Sequence, residues 1–161
     1  MLRRVVAIAC VALLGAGCAV PHVASAPEYW QLPVESGTGR RVVYEIATQR
    51  TWIVGERGEI LDAFRVSGRR GWPRPGTYQV FRKINPGSSG SLRLPYFVGF
   101  AHGNTTDIGF HGIPLYPSGK PIQSDEQLGQ PLSRGCVRVA QDKAVELWDF
   151  TELGTTVVVL P

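Results

Sequence analysis

Cysteine is scarce in this sequence, and its three copies are unevenly placed: Cys10 and Cys18 lie near the N-terminus, and Cys136 stands alone in the rest of the chain. If the chain is exported, Cys10 leaves with a leader and Cys18 is either removed or lipid-modified. Cys136 then has no partner for an intramolecular disulfide. A lone thiol in an oxidising compartment is a liability, so Cys136 is either a reactive group or an inert buried residue.

Clusters of basic residues are also missing. The chain has 17 Lys and Arg against 13 Asp and Glu, a formal net charge of +4. Without Arg3 and Arg4 of the N-terminal segment, 15 basic and 13 acidic side chains remain, a net charge of +2. The basic residues are scattered, without the stripe and interleaved aromatic residues that bind a phosphate backbone, so the sequence predicts no nucleic-acid partner.

Long apolar runs are absent, apart from the uncharged stretch Val5–Leu14 that follows Arg3 and Arg4. This stretch is too short to span a membrane comfortably, and its layout is typical of a secretory signal. The sequence therefore predicts export, with the protein facing the periplasm or cell wall.

Two processing sites compete at the end of this signal. Residues 13–18 resemble a bacterial lipobox in which Cys18 is diacylated, although Gly15 stands where such boxes usually have an aliphatic residue. The alternative is an A-x-A site at residues 24–26, where Pro27 would hinder cleavage. We favour the lipobox, which predicts that lipid on Cys18 anchors the protein to the membrane. The predicted organisation is then a signal over residues 1–18, a Pro/Ser/Gly-rich tether over residues 19–39, and one domain over residues 40–161.

The predicted domain is mostly β. A length of 161 residues with 43% apolar composition is typical of a single globular domain. Short β-type runs separated by turn residues predict a curled sheet, sandwich or barrel; they cover residues 42–47, 51–54, 60–66, 76–81, 96–100, 108–111, 136–139 and 155–160. One helix is predicted, with Asp142 as N-cap, an apolar stripe through Leu147, and Gly154 as its end.

The chemistry-bearing residues are Cys136 and His111. A thiolate is a far better nucleophile than a thiol, and a nearby imidazole can take the thiol proton, so this pair is the minimum for acyl transfer. Gly135 would let the backbone turn so that amide groups face an oxyanion, and Arg138 would favour the thiolate. A zinc site of Cys136, His102 and His111 is an alternative, although no short ligand spacing supports it.

The segment Ser133–Arg138 resembles the S-x-G-C-h-R/N signature of the L,D-transpeptidase (YkuD) family, and Ile108–Gly112 resembles the upstream histidine motif of that family. Residues 40–66, 73–78 and 94–97 are similar to its opening hairpins, its Pro-x-Gly turn and its substrate-cleft strand. Together these similarities cover about residues 40–160. The resemblance implies the YkuD-like curled sheet or β-sandwich with one packed helix.

The resemblance also implies roles for individual residues. Cys136 would attack the peptidoglycan stem and form a thioester, with His111 as base and later acid and the carbonyl of Gly112 orienting the imidazole. The thioester would pass to an amine, without metal or cofactor, and carbapenem β-lactams would inhibit by acylating the cysteine. The remaining implied site residues are Ser133, Arg134 and Gly135 in the oxyanion loop and Tyr96 in the cleft.

Two features depart from the family pattern. Many members have His where this chain has Arg134, and the interval from His111 to Cys136 is longer than in many members. The 113–131 loop within that interval resembles an inserted flap with hinge points at Gly119 and Gly129. Hydrolysis of the same thioester, which would make the chain a carboxypeptidase or endopeptidase, and a non-catalytic cell-wall-binding lipoprotein both remain open alternatives.

Overall fold

The structure is a computed structural model, and it describes residues 30–161. The predicted signal and the lipidation at Cys18 lie outside these residues. The described part is mostly β, as predicted, with eleven strands and one α-helix. The strands are β1 Arg41–Glu45, β2 Arg50–Val54, β3 Ile60–Arg65, β4 Gly76–Gln79, β5 Arg82–Ile84, β6 Gly87–Ser89, β7 Leu92–Leu94, β8 Phe97–His102, β9 Asp107–Gly112, β10 Val137–Val139 and β11 Thr156–Leu160. No helix among residues 30–161 is long and apolar enough to cross a membrane.

The strands form two main sheets and a small hairpin. A five-stranded sheet has the order β3-β2-β1-β11-β4, a four-stranded sheet has the order β10-β9-β8-β5, and β6 pairs with β7. The main hydrophobic core includes Val42, Ile53 and Val157 from the first sheet and Val98, Phe110 and Val137 from the second. The domain is thus a sandwich of two curled sheets, in agreement with the predicted fold class.

The central strands of the five-stranded sheet are buried on both faces. Val43, Trp52 and Val158 form a second apolar cluster, against which Leu32 packs. This explains why β1 and β11 are nearly continuous apolar runs rather than alternating ones. The part of the predicted tether that is described, residues 30–39, therefore packs on the domain: Ser36 is 2% exposed, and its carbonyl accepts a hydrogen bond from Arg41 Nε at 2.7 Å.

The α-helix α1, Gln141–Phe150, packs on β8 and β9. Its ends differ from the prediction: Ala140 is the N-cap, Asp142 lies in the first turn, and the helix ends before Gly154 is reached. Thr151 is the C-cap, where the backbone becomes extended (φ −89°, ψ 146°), and its hydroxyl donates to the carbonyl of Leu147 at 2.7 Å. Leu147 is fully buried, which contributes roughly 1.5–3 kcal/mol to stability.

The long interval between His111 and Cys136 has a topological cause. β10 pairs parallel to β9, with Arg138 opposite His111, and parallel neighbours need a crossover connection of a dozen or more residues. The 113–131 loop is well anchored within that crossover: the N–H of Gly129 donates to the carbonyl of Val66 at 2.8 Å, and Leu128 is buried. Gly129 is therefore hydrogen-bonded to the domain in this structure, and its role as a hinge stays a prediction.

Candidate active site

His111 lies near the end of β9 and is 2% exposed. Ile108 and Phe110 of the same strand belong to the main core, and side chains alternate along a strand, so His111 projects to the opposite face. Its ring stacks near Phe97, with centroids 6.2 Å apart. The imidazole is therefore held between the sheet and a phenyl ring, with little freedom to turn.

One hydrogen bond assigns the tautomer of His111. Its Nδ1 lies 2.7 Å from the carbonyl oxygen of Gly112, as the family resemblance implied. A carbonyl only accepts, so Nδ1 carries the proton and Nε2 of the neutral ring keeps a free lone pair. Burial lowers the pKa of His111 to about 4; the Gly112 carbonyl raises it in part, and the charge of Arg138 lowers it further. At neutral pH the ring is an uncharged proton acceptor.

Cys136 is half-buried immediately before β10. Its Sγ donates to the carbonyl of Asp107 at 3.7 Å. Burial raises the pKa of the thiol, while a hydrogen bond from the backbone of Gly109 and the charge of Arg138 lower it. Arg138 acts in the predicted direction, although burial has the larger effect on the pKa. Burial thus favours the neutral form of both groups, a thiol at Cys136 and an uncharged imidazole at His111.

Both side chains line one cavity of about 790 Å³. Its lining also includes Trp72, Ser133, Arg134, Gly135 and Arg138. A second cavity of about 510 Å³ lies beside the β6–β7 hairpin and shares Cys136 and Asp107 with the first. Cys136 therefore lines both cavities.

The loop before Cys136 differs in detail from the prediction. The N–H of Gly135 donates to Ser133 Oγ at 3.1 Å, so that amide is already engaged. The φ angle of Gly135 is not in the left-handed region, and an added Cβ would lie 3.9 Å from Trp72, an ordinary contact. A glycine is thus not required there for a special backbone conformation. Gly109 is required, because a Cβ there would lie 2.4 Å from the carbonyl oxygen of Val98.

Tyr96 is not in the lining of either cavity. Its ring meets Trp148 of α1 edge to face, with centroids 5.9 Å apart, and it packs on the main core. The predicted position of Tyr96 in the cleft is wrong, because this aromatic contact draws the ring toward the helix. Leu94 of the same predicted segment does line both cavities.

The alternative zinc site is not assembled. Nδ1 of His102 lies 3.0 Å from Asp107 Oδ1, and its ring stacks on Phe81 at 4.3 Å between centroids. Within residues 30–161, no three His, Cys, Asp or Glu side chains converge on a point that could hold a metal ion. His102 and His111 therefore have separate environments.

Several residues near the site were not identified from the sequence. Asp107 supplies the carbonyl beside the thiol, and its carboxylate is held by His102 and Arg82, the latter at 3.1 Å. Hydrogen bonding to His102, followed by contacts with Arg82, lowers the pKa of Asp107. Gln123, in the 113–131 loop, accepts a hydrogen bond from Arg138 at 2.9 Å. No local motif marks these residues, because their contacts with Cys136, Arg82 and Arg138 join positions that are 29, 25 and 15 residues apart along the chain.

A family model for the L,D-transpeptidase catalytic domain, YkuD, matches residues 39–159. The chain belongs to this family. The match covers nearly the whole described domain, including both strands that carry His111 and Cys136. No curated protein matches the chain.

Several solved structures share this fold. An L,D-transpeptidase from Stackebrandtia nassauensis is similar with a TM-score of 0.57 and 25% identity, over 79% of this chain and 58% of that one. The catalytic domain of the E. faecium L,D-transpeptidase has a TM-score of 0.57 and 18% identity, over 77% of this chain and 98% of that domain. An LD transpeptidase solved in complex with imipenem has a TM-score of 0.59 and 19% identity, over 77% and 60%. This chain thus spans 58% and 60% of the first and third of these proteins.

Proposed function

We propose that the chain is an L,D-transpeptidase that transfers an acyl group from a peptidoglycan stem peptide to an amine through a thioester on Cys136. The observation that carries this proposal is the buried neutral His111, whose Nδ1 is committed to the Gly112 carbonyl and whose Nε2 is free to accept a proton. His111 and Cys136 line the same cavity, and we assign the imidazole as general base for the sulfur nucleophile.

In the first half of the reaction, His111 Nε2 takes the thiol proton as the sulfur attacks the carbonyl carbon of the L-centre. The C–S bond forms and the carbonyl electrons move to oxygen. The imidazolium then gives its proton to the nitrogen of the D-residue, the C–N bond breaks, and the thioester remains. The Gly112 carbonyl stabilises the imidazolium through Nδ1–H. Because Gly135 N–H is engaged by Ser133, the amides of Arg134 and Cys136 are the loop donors we assign to the oxyanion.

In the second half, an acceptor amine attacks the thioester while His111 takes its proton. The C–S bond breaks and the sulfur recovers a proton from the imidazolium. A transferase must hold two peptides around one sulfur, and Cys136 lines two cavities, which we assign to the donor and the acceptor. The presence of two cavities at Cys136 supports transfer over hydrolysis.

The test is turnover of a purified donor tetrapeptide with excess acceptor amine, followed by mass spectrometry of the products. We expect cross-linked product from the parent, none from Cys136→Ala, and a rate about two to four orders of magnitude lower from His111→Gln. His102→Gln, which changes the exposed histidine, should stay within threefold of the parent. Turnover by Cys136→Ala would overturn the proposal, and a parent that forms only hydrolysed product would establish a carboxypeptidase or endopeptidase instead.

The known complex of a similar structure with imipenem supports a related proposal: carbapenems acylate Cys136 here. A covalent adduct on the parent but not on Cys136→Ala would also distinguish an enzyme from a non-catalytic cell-wall-binding protein. We further propose that the chain is exported and anchored by lipid on Cys18. Recovery of a water-soluble form that begins at Pro27 would contradict the anchor.

A further inference from the structure

Three guanidinium groups lie in the wall of the larger cavity, on Arg69, Arg134 and Arg138. Arg69 donates to the backbone carbonyl of Arg134 at 3.3 Å, and its guanidinium carbon lies 5.8 Å from the ring of Trp72. Arg138 donates to the side-chain oxygen of Gln123 at 2.9 Å. The partners that hold Arg69 and Arg138 are neutral, so these contacts position positive charge without cancelling it.

No acidic side chain neutralises this wall. Among residues 30–161, none of the ion pairs includes any of the three arginines. Asp107 is the acidic residue of the cavity lining, and its carboxylate is already paired with His102 and Arg82. A cleft lined by charge of one sign raises the local concentration of the opposite ion, so this wall favours an anionic ligand.

Gln123 adds an unmet hydrogen-bond donor beside Arg138. It is 5% exposed, its Oε1 accepts from Arg138, and its Nε2 has no hydrogen-bond partner among the described residues. Gln123 is not in the lining of the cavity, so it acts on the wall only through Arg138. The 113–131 loop thus positions Arg138 through Gln123, whose side chain is neutral.

We propose that Arg69, Arg134 and Arg138 form a subsite for a carboxylate of the peptide that acylates Cys136, with Gln123 as the positioning residue for Arg138. Guanidinium groups bind carboxylates through paired N–H donors, which matches a planar two-oxygen group better than a neutral amide. The subsite selects peptides with a free carboxylate near the scissile bond over peptides amidated there. The identification of the ligand as a donor peptide rests on the proposed function.

The test measures binding to Cys136→Ala, which holds the peptide without consuming it. Two matched stem tetrapeptides are titrated by calorimetry, one with free carboxylates and one with the same groups as primary amides. We expect the free acid to bind about tenfold or more tightly, the usual effect of a charge-assisted hydrogen bond. Introducing Arg69→Gln and Arg134→Gln together into the Cys136→Ala protein should remove most of the preference for the free acid. Adding Arg57→Gln, which removes the same charge from a remote exposed position, should leave it unchanged.

A second measurement uses the intact Cys136. Alkylation rates by iodoacetate, which carries a carboxylate, and by neutral iodoacetamide are compared, and the ratio should fall in Arg69→Gln/Arg134→Gln but not in Arg57→Gln. Equal affinity of the two peptides for Cys136→Ala, or a preference that survives loss of both arginines, overturns the subsite. Because binding to Cys136→Ala needs no turnover, a retained preference in a parent that fails to transfer acyl groups would reject the proposed function alone.

Discussion

Replacing His111 with Gln should change how the stability of the protein depends on pH. The buried imidazole has a pKa of about 4, against an ordinary value of 6.5. Between these values the unfolded chain binds a proton at this position and the folded protein does not. The stability contributed by the neutral imidazole is therefore fully present above pH 6.5 and is lost progressively as the pH falls to 4. A shift of this size corresponds to about 3 kcal/mol.

The assay is urea-induced unfolding of the parent and His111→Gln at a series of pH values from 7.5 to 4. Other groups titrate similarly in both proteins, so the difference between their free energies of unfolding isolates His111. We expect the advantage of the parent over His111→Gln to shrink by about 3 kcal/mol across this range. Val34→Ala, which changes no titratable group at an exposed position, is the control and should retain the pH dependence of the parent. Parallel curves for the parent and His111→Gln would refute the buried neutral imidazole.

Three further predictions concern packing. Leu32→Ala should lower the free energy of unfolding by about 1–2 kcal/mol, because the leucine side chain packs on the outer face of the five-stranded sheet. Val34→Ala, at a 96% exposed position, should leave the free energy of unfolding unchanged, and urea unfolding compares the two variants. Gly109→Ala should lower the stability measured by thermal unfolding by about 1–3 kcal/mol, because the added Cβ would lie 2.4 Å from the carbonyl oxygen of Val98. Gly135→Ala should lower the stability less, and equal losses of stability would contradict the close packing at β9. Replacing residues 118–129 with a short Gly-Ser linker should lower the free energy of unfolding by at least about 2 kcal/mol, because it removes the buried Leu128. An unchanged unfolding midpoint would contradict the anchoring of this loop to the domain.

The sequence predicted the larger strands because their cause is local. The apolar runs of β1 and β11 are visible as valines, and burial on both faces explains their continuity. The three-residue strands β5, β6 and β7 were missed, since segments this short are too brief to show a hydrophobic period. They are defined by pairing, β6 with its neighbour β7 and β5 with β8. The C-terminal end of α1 differs because the backbone is already extended at Thr151, before Gly154 is reached.

The site was predictable where residue type and motif coincide. The positions of His111 and Cys136 in one cavity follow from parallel pairing of the two motif strands. The sequence could not show that Tyr96 turns toward the helix, because that depends on the ring of Trp148. Nor could it reveal Arg69 in the cavity wall, whose place depends on a contact 65 residues away along the chain.

The central claim is that Cys136 forms a thioester with a stem peptide. Intact-protein mass spectrometry after mixing with the purified donor tetrapeptide tests it most directly, with peptide mapping to locate the adduct. The account predicts a mass increase equal to the donor minus its released D-amino acid, located on Cys136 and absent from Cys136→Ala. An adduct at another residue, or release of the D-amino acid by Cys136→Ala, would contradict it.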